Sequence, residues 1–380
     1  MYIELAIVTV FILLLIIAIY KLKYQFWSKQ PVFHIHNIKY WLFPVGIIQH
    51  NKPEKDKFFD RKQQFYELNT IGDQKKILFT TFIKSHYMPH KSEKYKPTMN
   101  NILSYFSGHN NKSYISFLYD KIKLNKLIGV MTTRPLDIII DRNKIQLYYV
   151  DYLCVHKNER KKGIAPRVIY SHYLNHRYKN DNMIFLFKRE GPTTLIVPLT
   201  IYNNYFFDTS RWDMNAYFLQ PNINTILINS GNFNLFLDVF LRLKKDNFRC
   251  FISPNIQNLK VLVEQKSIFI CLTMIDNKPF DVFFFRNSYT TYNKHKSIEF
   301  FASFKETELN IFLLSFFSSL ALVYREIPFK RLFIENISNN NIVLKKILER
   351  YSFISKTKSS YYFYNFAYRP FLANEVFILN

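Results

Sequence analysis

Glycine and cysteine are scarce in this chain of 380 residues, with 7 and 3 copies. Collagen-like chains need glycine at every third position and flexible linkers need it in runs, so both classes are excluded. A disulfide scaffold needs more cysteines, even in number and closely spaced. Cys154, Cys250 and Cys271 are far apart and odd in number, which excludes such a framework and a C-x-x-C metal knuckle and predicts a reducing compartment. Acidic residues are few as well, 28 against 52 Lys and Arg, for a formal charge of +24. Clustered cations would suit nucleic acid, which gains by counterion release. Here the lysines are scattered among Asn, Ile, Tyr and Phe, a mixture that AT-rich codon usage produces, as in large DNA viruses and some parasites. No nucleic-acid-binding motif is present, and no nucleic-acid partner is expected. What is abundant is apolar surface: 48% of residues are hydrophobic and 18% aromatic. Disorder is therefore excluded and a large folded core implied.

One apolar stretch stands apart from the rest. Residues 5–20 (LAIVTVFILLLIIAIY) carry no charge and no proline, and with the residues before them they reach the length that spans a hydrocarbon core of ~30 Å at about 1.5 Å per residue. A cleaved signal peptide would begin with basic residues and end at small ones, whereas this chain begins Met-Tyr-Ile-Glu and continues into Ile19-Tyr20-Lys21. Residues 3–20 are thus expected to be an uncleaved single-pass anchor. Lys21 and Lys23 on one side against Glu4 on the other put the body of the protein in the cytosol. The later run 311–323 is shorter, contains serines and reads as a buried helix.

Past the anchor there is no Gly/Ser linker or short tandem repeat, so one α/β body is expected. Residues 126–132 and 136–140 read as strands, 141–144 as a polar turn, and 145–155 as one long strand. A polar loop follows at 156–162, then a helix over 164–176 with apolar residues at Ile164, Val168, Ile169 and Tyr173. A strand, a basic loop and a helix N-terminus in that order make an anion cradle, because unpaired backbone N–H groups and the positive end of the helix dipole point the same way. The second half runs similarly, with strands at 268–275, 279–285 and 299–304, a helix at 311–323, a strand at 331–334, a helix at 341–350 and a strand at 361–368. The repeated order predicts an internal pseudo-duplication around a shared sheet.

The loop Arg160-Lys161-Lys162-Gly163-Ile164-Ala165 fits R-x-x-G-x-G/A, the pyrophosphate loop of acyl-CoA N-acyltransferases. Its setting resembles one family in particular. Asp151-Tyr152-Leu153-Cys154-Val155-His156-Lys157 followed by Ala165-Pro166 is similar to the signature of the N-myristoyltransferases, glycylpeptide N-tetradecanoyltransferases. Tyr24-Gln25-Phe26-Trp27-Ser28-Lys29-Gln30-Pro31-Val32 and Tyr361-Tyr362-Phe363-Tyr364-Asn365 resemble two further motifs of that family, in the same order. The chain then closes on Glu375-Val376-Phe377-Ile378-Leu379-Asn380, like the family's short apolar tail. The resemblance covers most of residues 24–380. Taken singly the motifs have plainer readings: Phe26 and Trp27 as an interfacial aromatic belt, 361–364 as a half-buried strand, 160–162 as a solvated loop.

The resemblance implies an α/β (α+β) fold of two acetyltransferase-like (GNAT) halves around a shared, mixed sheet, preceded by one transmembrane helix. The implied divisions are 1–22 for the anchor, 23–208 for an acyl-CoA-binding half and 209–380 for a peptide-binding half. It further implies transfer of myristate from myristoyl-CoA, a co-substrate, to the N-terminal glycine of a protein, with no permanent cofactor, no metal and a monomeric chain. Gln25, Phe26 and Trp27 would pack on the coenzyme; Tyr152, Leu153, Cys154 and Val155 with Lys161, Gly163, Ile164 and Ala165 would hold thioester and pyrophosphate. The terminal carboxylate of Asn380 would be the general base and the N–H groups of Tyr152 and Leu153 the oxyanion hole. This division of labour suits acyl transfer, since an α-amino group of pKa about 7.7–8.0 must first lose a proton and the developing oxyanion needs donors. Cys154 is expected to be a structural thiol and His156 a loop residue.

Four departures are visible. Asp151 stands where the family has Asn, an added negative charge that would oppose an oxyanion. Lys356-Thr357-Lys358 replaces an acidic Gly-Asp-Gly loop and would repel peptides that are basic after their glycine. Gly191-Pro192-Thr193-Thr194 matches a Thr-Ala-Gly segment only with a shift, and Asp208 stands near a family His. They keep a second reading open, an inert descendant that binds acyl-CoA or a protein partner, and leave a nucleic-acid binder far behind.

Overall fold

The computed structural model describes residues 2–380 apart from 44–45, 89–92, 121, 123–124, 193, 215–220 and 245–246. Its centre is a 16-stranded mixed sheet to which both halves of the chain contribute. In the first half Tyr114–Tyr119, Leu127–Ile140 and Asn143–Val150 form an antiparallel meander; the helix Ile164–Lys179 crosses over, and Phe185–Glu190 returns parallel to Asn143–Val150. The second half repeats the plan. Ile268–Ile275, Lys278–Tyr292 and His295–Phe304 form a meander, Leu309–Glu326 crosses, and Arg331–Glu335 returns parallel to His295–Phe304. The halves then exchange strands: Thr200–Asp208 pairs with Arg331–Glu335, while Ser355–Tyr364 lies between Thr200–Asp208 and Phe185–Glu190. The expected duplication around a shared sheet is thus present as topology.

Helices cover both faces of the sheet, which is why its strands read as continuous apolar runs rather than as alternation. Phe283, Phe284 and Phe285 are all fully buried. Phe284 packs on one face with Phe236 and Phe377, and Phe283 and Phe285 on the other with Phe312 and Phe316. The helix Leu309–Glu326 is long and apolar enough to cross a membrane, but Phe312, Phe316, Leu320 and Val323 are core residues, in keeping with a buried helix. The helix Tyr2–Lys23 differs. Leu5, Ile7, Phe11, Leu14 and Ile19 are each more than half exposed, and the helix is tied down at its foot, where Tyr20 is buried.

Three sequence expectations are corrected. The strands at 126–132 and 136–140 are one, Leu127–Ile140, in spite of Pro135. Pairing with Tyr114–Tyr119 stops at Thr133 and pairing with Cys250–Ser253 starts at Asp137, so the proline falls in the gap between two partners on that edge, where a missing N–H is tolerated. The long strand 145–155 is two, ending at Val150 and resuming at Cys154–Val155. The strand 361–368 begins earlier, at Ser355, and breaks at Asn365, whose φ of 62° lies in the left-handed region that Asn tolerates better than most residues.

Candidate active site

The break after Val150 is made by hydrogen bonds from a neighbouring strand. Asp151 N–H donates to the Thr132 carbonyl at 3.2 Å, Tyr152 N–H to Thr132 Oγ1 at 3.1 Å, and Leu153 N–H turns back to the Asp151 carbonyl at 3.1 Å. The parallel neighbour Phe185–Glu190 keeps register only through Tyr148↔Phe185, Tyr149↔Leu186 and Val150↔Phe187, after which pairing stops. At this opening lies a cavity of about 250 Å³ lined by Trp27, Met131, Val150, Leu153, Ile169, Tyr173, Phe185, Phe187 and Tyr364, with Tyr87, Asp151, His172 and Lys188 as its polar members. A mostly apolar wall with few polar groups suits an aliphatic chain attached to a polar head.

The loop after Cys154–Val155 turns into the helix Ile164–Lys179 through two left-handed residues, Lys161 at φ 64° and Gly163 at φ 71°. Gly163 has open space around it, so backbone conformation rather than crowding calls for glycine there. Gly129 serves packing instead: a Cβ would stand 2.8 Å from Val168 Cγ2, so its absence lets the helix lie close on the sheet. Pro166 sits in the first helical turn, where its missing N–H costs no helical bond. The loop is braced from inside. Arg160 donates to the carbonyls of Val155 and His86, and Glu159 accepts from Lys126 at 2.6 Å and Lys162 at 3.0 Å. Lys161 is exposed and has no ion pair among the described residues. His156 Nδ1 accepts the Asn158 N–H at 3.2 Å, a turn-capping role. Burial, and then the charge of neighbouring Lys126, holds its pKa below the ordinary value.

Motifs far apart in sequence meet beside this cavity. Gln30 Nε2 donates to the Phe26 carbonyl at 3.2 Å, and its Oε1 accepts the Tyr364 hydroxyl at 2.5 Å. Asn365 N–H donates to the Pro31 carbonyl at 2.6 Å, and its side-chain amide joins Gln49 and Met183. Phe26 is buried edge-on against Phe58, and Trp27 stacks on Phe187 at 5.6 Å. Gln25 is exposed and accepts from Lys57 at 3.1 Å.

The chain end is buried nearby. Val376–Ile378 pairs parallel with Cys250–Ser253, and Asn380 is 4% exposed. Its Oδ1 accepts from the Tyr361 hydroxyl at 3.2 Å and Arg286 Nη2 at 3.4 Å. Asn380 is not part of the cavity lining but stands behind it, since Tyr361 lies under Lys188 Nζ at 5.9 Å and Lys188 lines the cavity. Lys188 pairs with Glu335 at 2.9 Å, and Arg286 with Glu299 at 3.5 Å. Burial alone would raise the Glu335 carboxyl, yet Lys188 and Arg286 outweigh it and hold it below its usual range.

Asp151 is not the uncompensated charge that its sequence position implied. Its Oδ2 lies 2.5 Å from Nε of Arg134, whose side chain is 0% exposed and whose guanidinium carbon lies 5.4 Å from the Tyr105 ring centroid and 5.3 Å from that of Tyr149. The carboxylate at this position is matched by a buried cation. Cys154 is buried and burial pushes its thiol up to about 12, so it is no thiolate at neutral pH. Lys356 and Lys358 are exposed strand residues opposite Tyr205 and Asn203, not a loop. Asp208 pairs with Arg331 at 2.8 Å and accepts the Ser210 N–H. The shifted 191–194 segment includes Thr193, which lies outside the described residues. Arg134, His172, Phe187 and Lys188 escaped the sequence reading. A charge inside the apolar run Val130–Ile140 was the signal for Arg134; the others carry none.

A family model for the N-terminal domain of myristoyl-CoA:protein N-myristoyltransferase matches residues 49–184. Over 45 residues the chain is 42% identical to the glycylpeptide N-tetradecanoyltransferase of Plasmodium falciparum (isolate 3D7), a stretch that covers 12% of this chain and 11% of that protein. The match thus spans about a tenth of the curated relative's length. The fold is similar to that of Saccharomyces cerevisiae N-myristoyltransferase with bound myristoyl-CoA, with a TM-score of 0.73 at 12% identity over 92% of this chain and 94% of that one. A structure of the same yeast protein with myristoyl-CoA and inhibitors gives 0.70 at 14% identity over 94% of each chain. At these identities the likeness to the yeast structures is one of fold.

Proposed function

We propose that this chain is a member of the N-myristoyltransferase family and that it transfers a myristoyl group from myristoyl-CoA to the N-terminal glycine amine of a protein; the matched N-terminal domain, the 45-residue similarity and the shared fold support this reading. The observation that carries this reading is the apolar cavity at the strand break, with the left-handed Gly163 turn and a helix N-terminus on the same crossover unit. The acyl chain fills the cavity, the thioester lies at residues 151–153, and the pyrophosphate meets the N–H groups of Gly163, Ile164 and Ala165 with Lys161 beside them. Residues 23–208 hold the coenzyme and 209–380 the peptide.

The neutral amine attacks the thioester carbon directly, a tetrahedral oxyanion forms, and the C–S bond breaks to release CoA thiolate. The amine must lose a proton, which the terminal carboxylate of Asn380 takes. The oxyanion draws on the N–H groups of Tyr152 and Leu153. No metal and no permanent cofactor are required. Residues 3–20 anchor a monomeric chain with its body in the cytosol. One observation favours the second reading, an inert acyl-CoA binder: both oxyanion donors are engaged, with Thr132 Oγ1 and the Asp151 carbonyl, and must change partners to reach a substrate.

The deciding experiment incubates the full chain in lipid vesicles with myristoyl-CoA and Gly-initiated peptides, reading amide product by mass. Product from free but not N-acetylated glycine supports transfer. Bound coenzyme without product from any peptide supports the inert binder.

A further inference from the structure

Beside the foot of the N-terminal helix, one short segment exposes five large apolar side chains. Ile35, Ile38, Trp41, Leu42 and Phe43 are 53%, 71%, 48%, 68% and 65% exposed. A monomer's surface carries single exposed apolar residues; a contiguous patch marks an interaction site. The segment is held in place. Phe33 is buried beneath Tyr40 and Trp41 with ring centroids 5.5 and 5.0 Å apart, and Trp41 Nε1–H donates to the Ile35 carbonyl at 2.9 Å. It is also continuous with the helix Tyr2–Lys23, since the Tyr20 hydroxyl stands 3.2 Å from His34 Nδ1 and the Tyr20 ring packs on His34 and His36. A cleft between Ile35, Trp41, Ile201 and Leu372 widens the face.

We propose that this face, centred on Ile38–Leu42, is a second membrane contact that lies in the interface of the same bilayer that residues 3–20 cross; it rests on the anchor reading given above. Continuity with the exposed apolar helix Tyr2–Lys23, read as a lipid anchor, argues for a bilayer over a protein. So does charge: Lys21 and Lys23 end that helix and Lys39 sits within the patch, where anionic headgroups would lie. Trp41 supplies the amphipathic ring that settles at this depth. Two contacts fix the tilt of the body, which one helix alone would not. They also hold the acyl cavity near the lipid, because Trp27 and Phe187 wall both that cavity and a cleft shared with Tyr20 and Tyr24.

The test uses the full chain in vesicles of mixed neutral and anionic lipid. Trp41 is one of three tryptophans, so its signal is the difference between the native chain and Trp41→Phe. The proposal expects that signal to be shielded from aqueous iodide and quenched more by nitroxides near the headgroups than by nitroxides at the chain ends. A chain that floats with vesicles while Trp41 stays open to iodide overturns the second contact and leaves the anchor standing. Shielding without nitroxide quenching means a protein occupant, such as a second copy, and also overturns it. A chain that does not float overturns anchor and second contact together, leaving the transfer reaction to its own assay.

Discussion

Asp151→Asn replaces the carboxylate that faces a guanidinium with no exposed surface. Nη1 and Nη2 of Arg134 have no hydrogen-bond partner among the described residues, so Asp151 supplies the counter-charge. Removing one partner of a buried ion pair costs about 3–5 kcal/mol, because the remaining charge stays buried. The asparagine oxygen can still accept the Nε–H bond, and the rings of Tyr105 and Tyr149 still attract the guanidinium, so the lower end of that range, about 3 kcal/mol, applies. Unfolding entropy of about 2.1 cal/mol/K per residue, over 380 residues, is ~0.8 kcal/mol/K, and the Tm falls by ~4 °C. Removing the carboxylate at this position thus weakens the protein. Arg134→Met combined with Asp151→Asn should recover most of the loss, since an apolar replacement of a buried pair is often neutral. Thermal unfolding of the native chain, both single variants and the double gives the coupling directly. An Asp151→Asn protein that melts with the native one, or a double variant that loses the sum of the singles, would refute the pairing argument.

Acid should destabilise the fold through histidines that are buried or half-buried. Burial lowers His34, His86 and His109 to about 4 and His172 to about 3, against about 6.5 in the unfolded chain, so the unfolded state takes up more protons and stability drains away as pH falls from about 6.5 toward 4. His176 has both ring nitrogens buried without a hydrogen-bond partner among the described residues, so His176→Phe should keep the neutral-pH Tm and lessen the acid loss; a large Tm drop at pH 7 would contradict this. Gly129→Ala forces a methyl group to 2.8 Å from Val168 Cγ2 and should cost about 1–3 kcal/mol while weakening myristoyl-CoA binding through the displaced helix, both measurable by calorimetry. Shortening the acyl chain by two CH₂ groups removes ~1.6 kcal/mol of burial, so competition binding should show about 15-fold weaker affinity, and equal affinities would place the chain outside the apolar cavity.

The turn into the helix Ile164–Lys179 was legible in the sequence because it is local: Gly163, Pro166 and the apolar spacing from Ile164 to Tyr173 act within one turn and one helix. The strand break at 151–153 was not, since Tyr152 and Leu153 continue the apolar run and the group that breaks it, Thr132 Oγ1, belongs to another strand. The Arg134–Asp151 pair lay within reach. The two-residue turn at Asp141 and Arg142, both with positive φ, sets the hairpin register, which puts Arg134 opposite Tyr149 and therefore diagonal to Asp151. Asn365 was visible only as a motif letter; its left-handed φ and its ties to Pro31, Gln49 and Met183 explain the letter. Lys188 and His172 owe their place to the packing of Phe185–Glu190 against the helix Ile164–Lys179, and no local pattern announces such packing.

The most direct test compares amide product formed from myristoyl-CoA and a Gly-initiated peptide by the native chain and by a chain with one residue appended after Asn380. A terminal-carboxylate base gives product from the native chain and loss of turnover from the extended one, with myristoyl-CoA binding retained in both. Equal turnover by the two chains would contradict the terminal-carboxylate base, and no product from either would contradict the transfer itself.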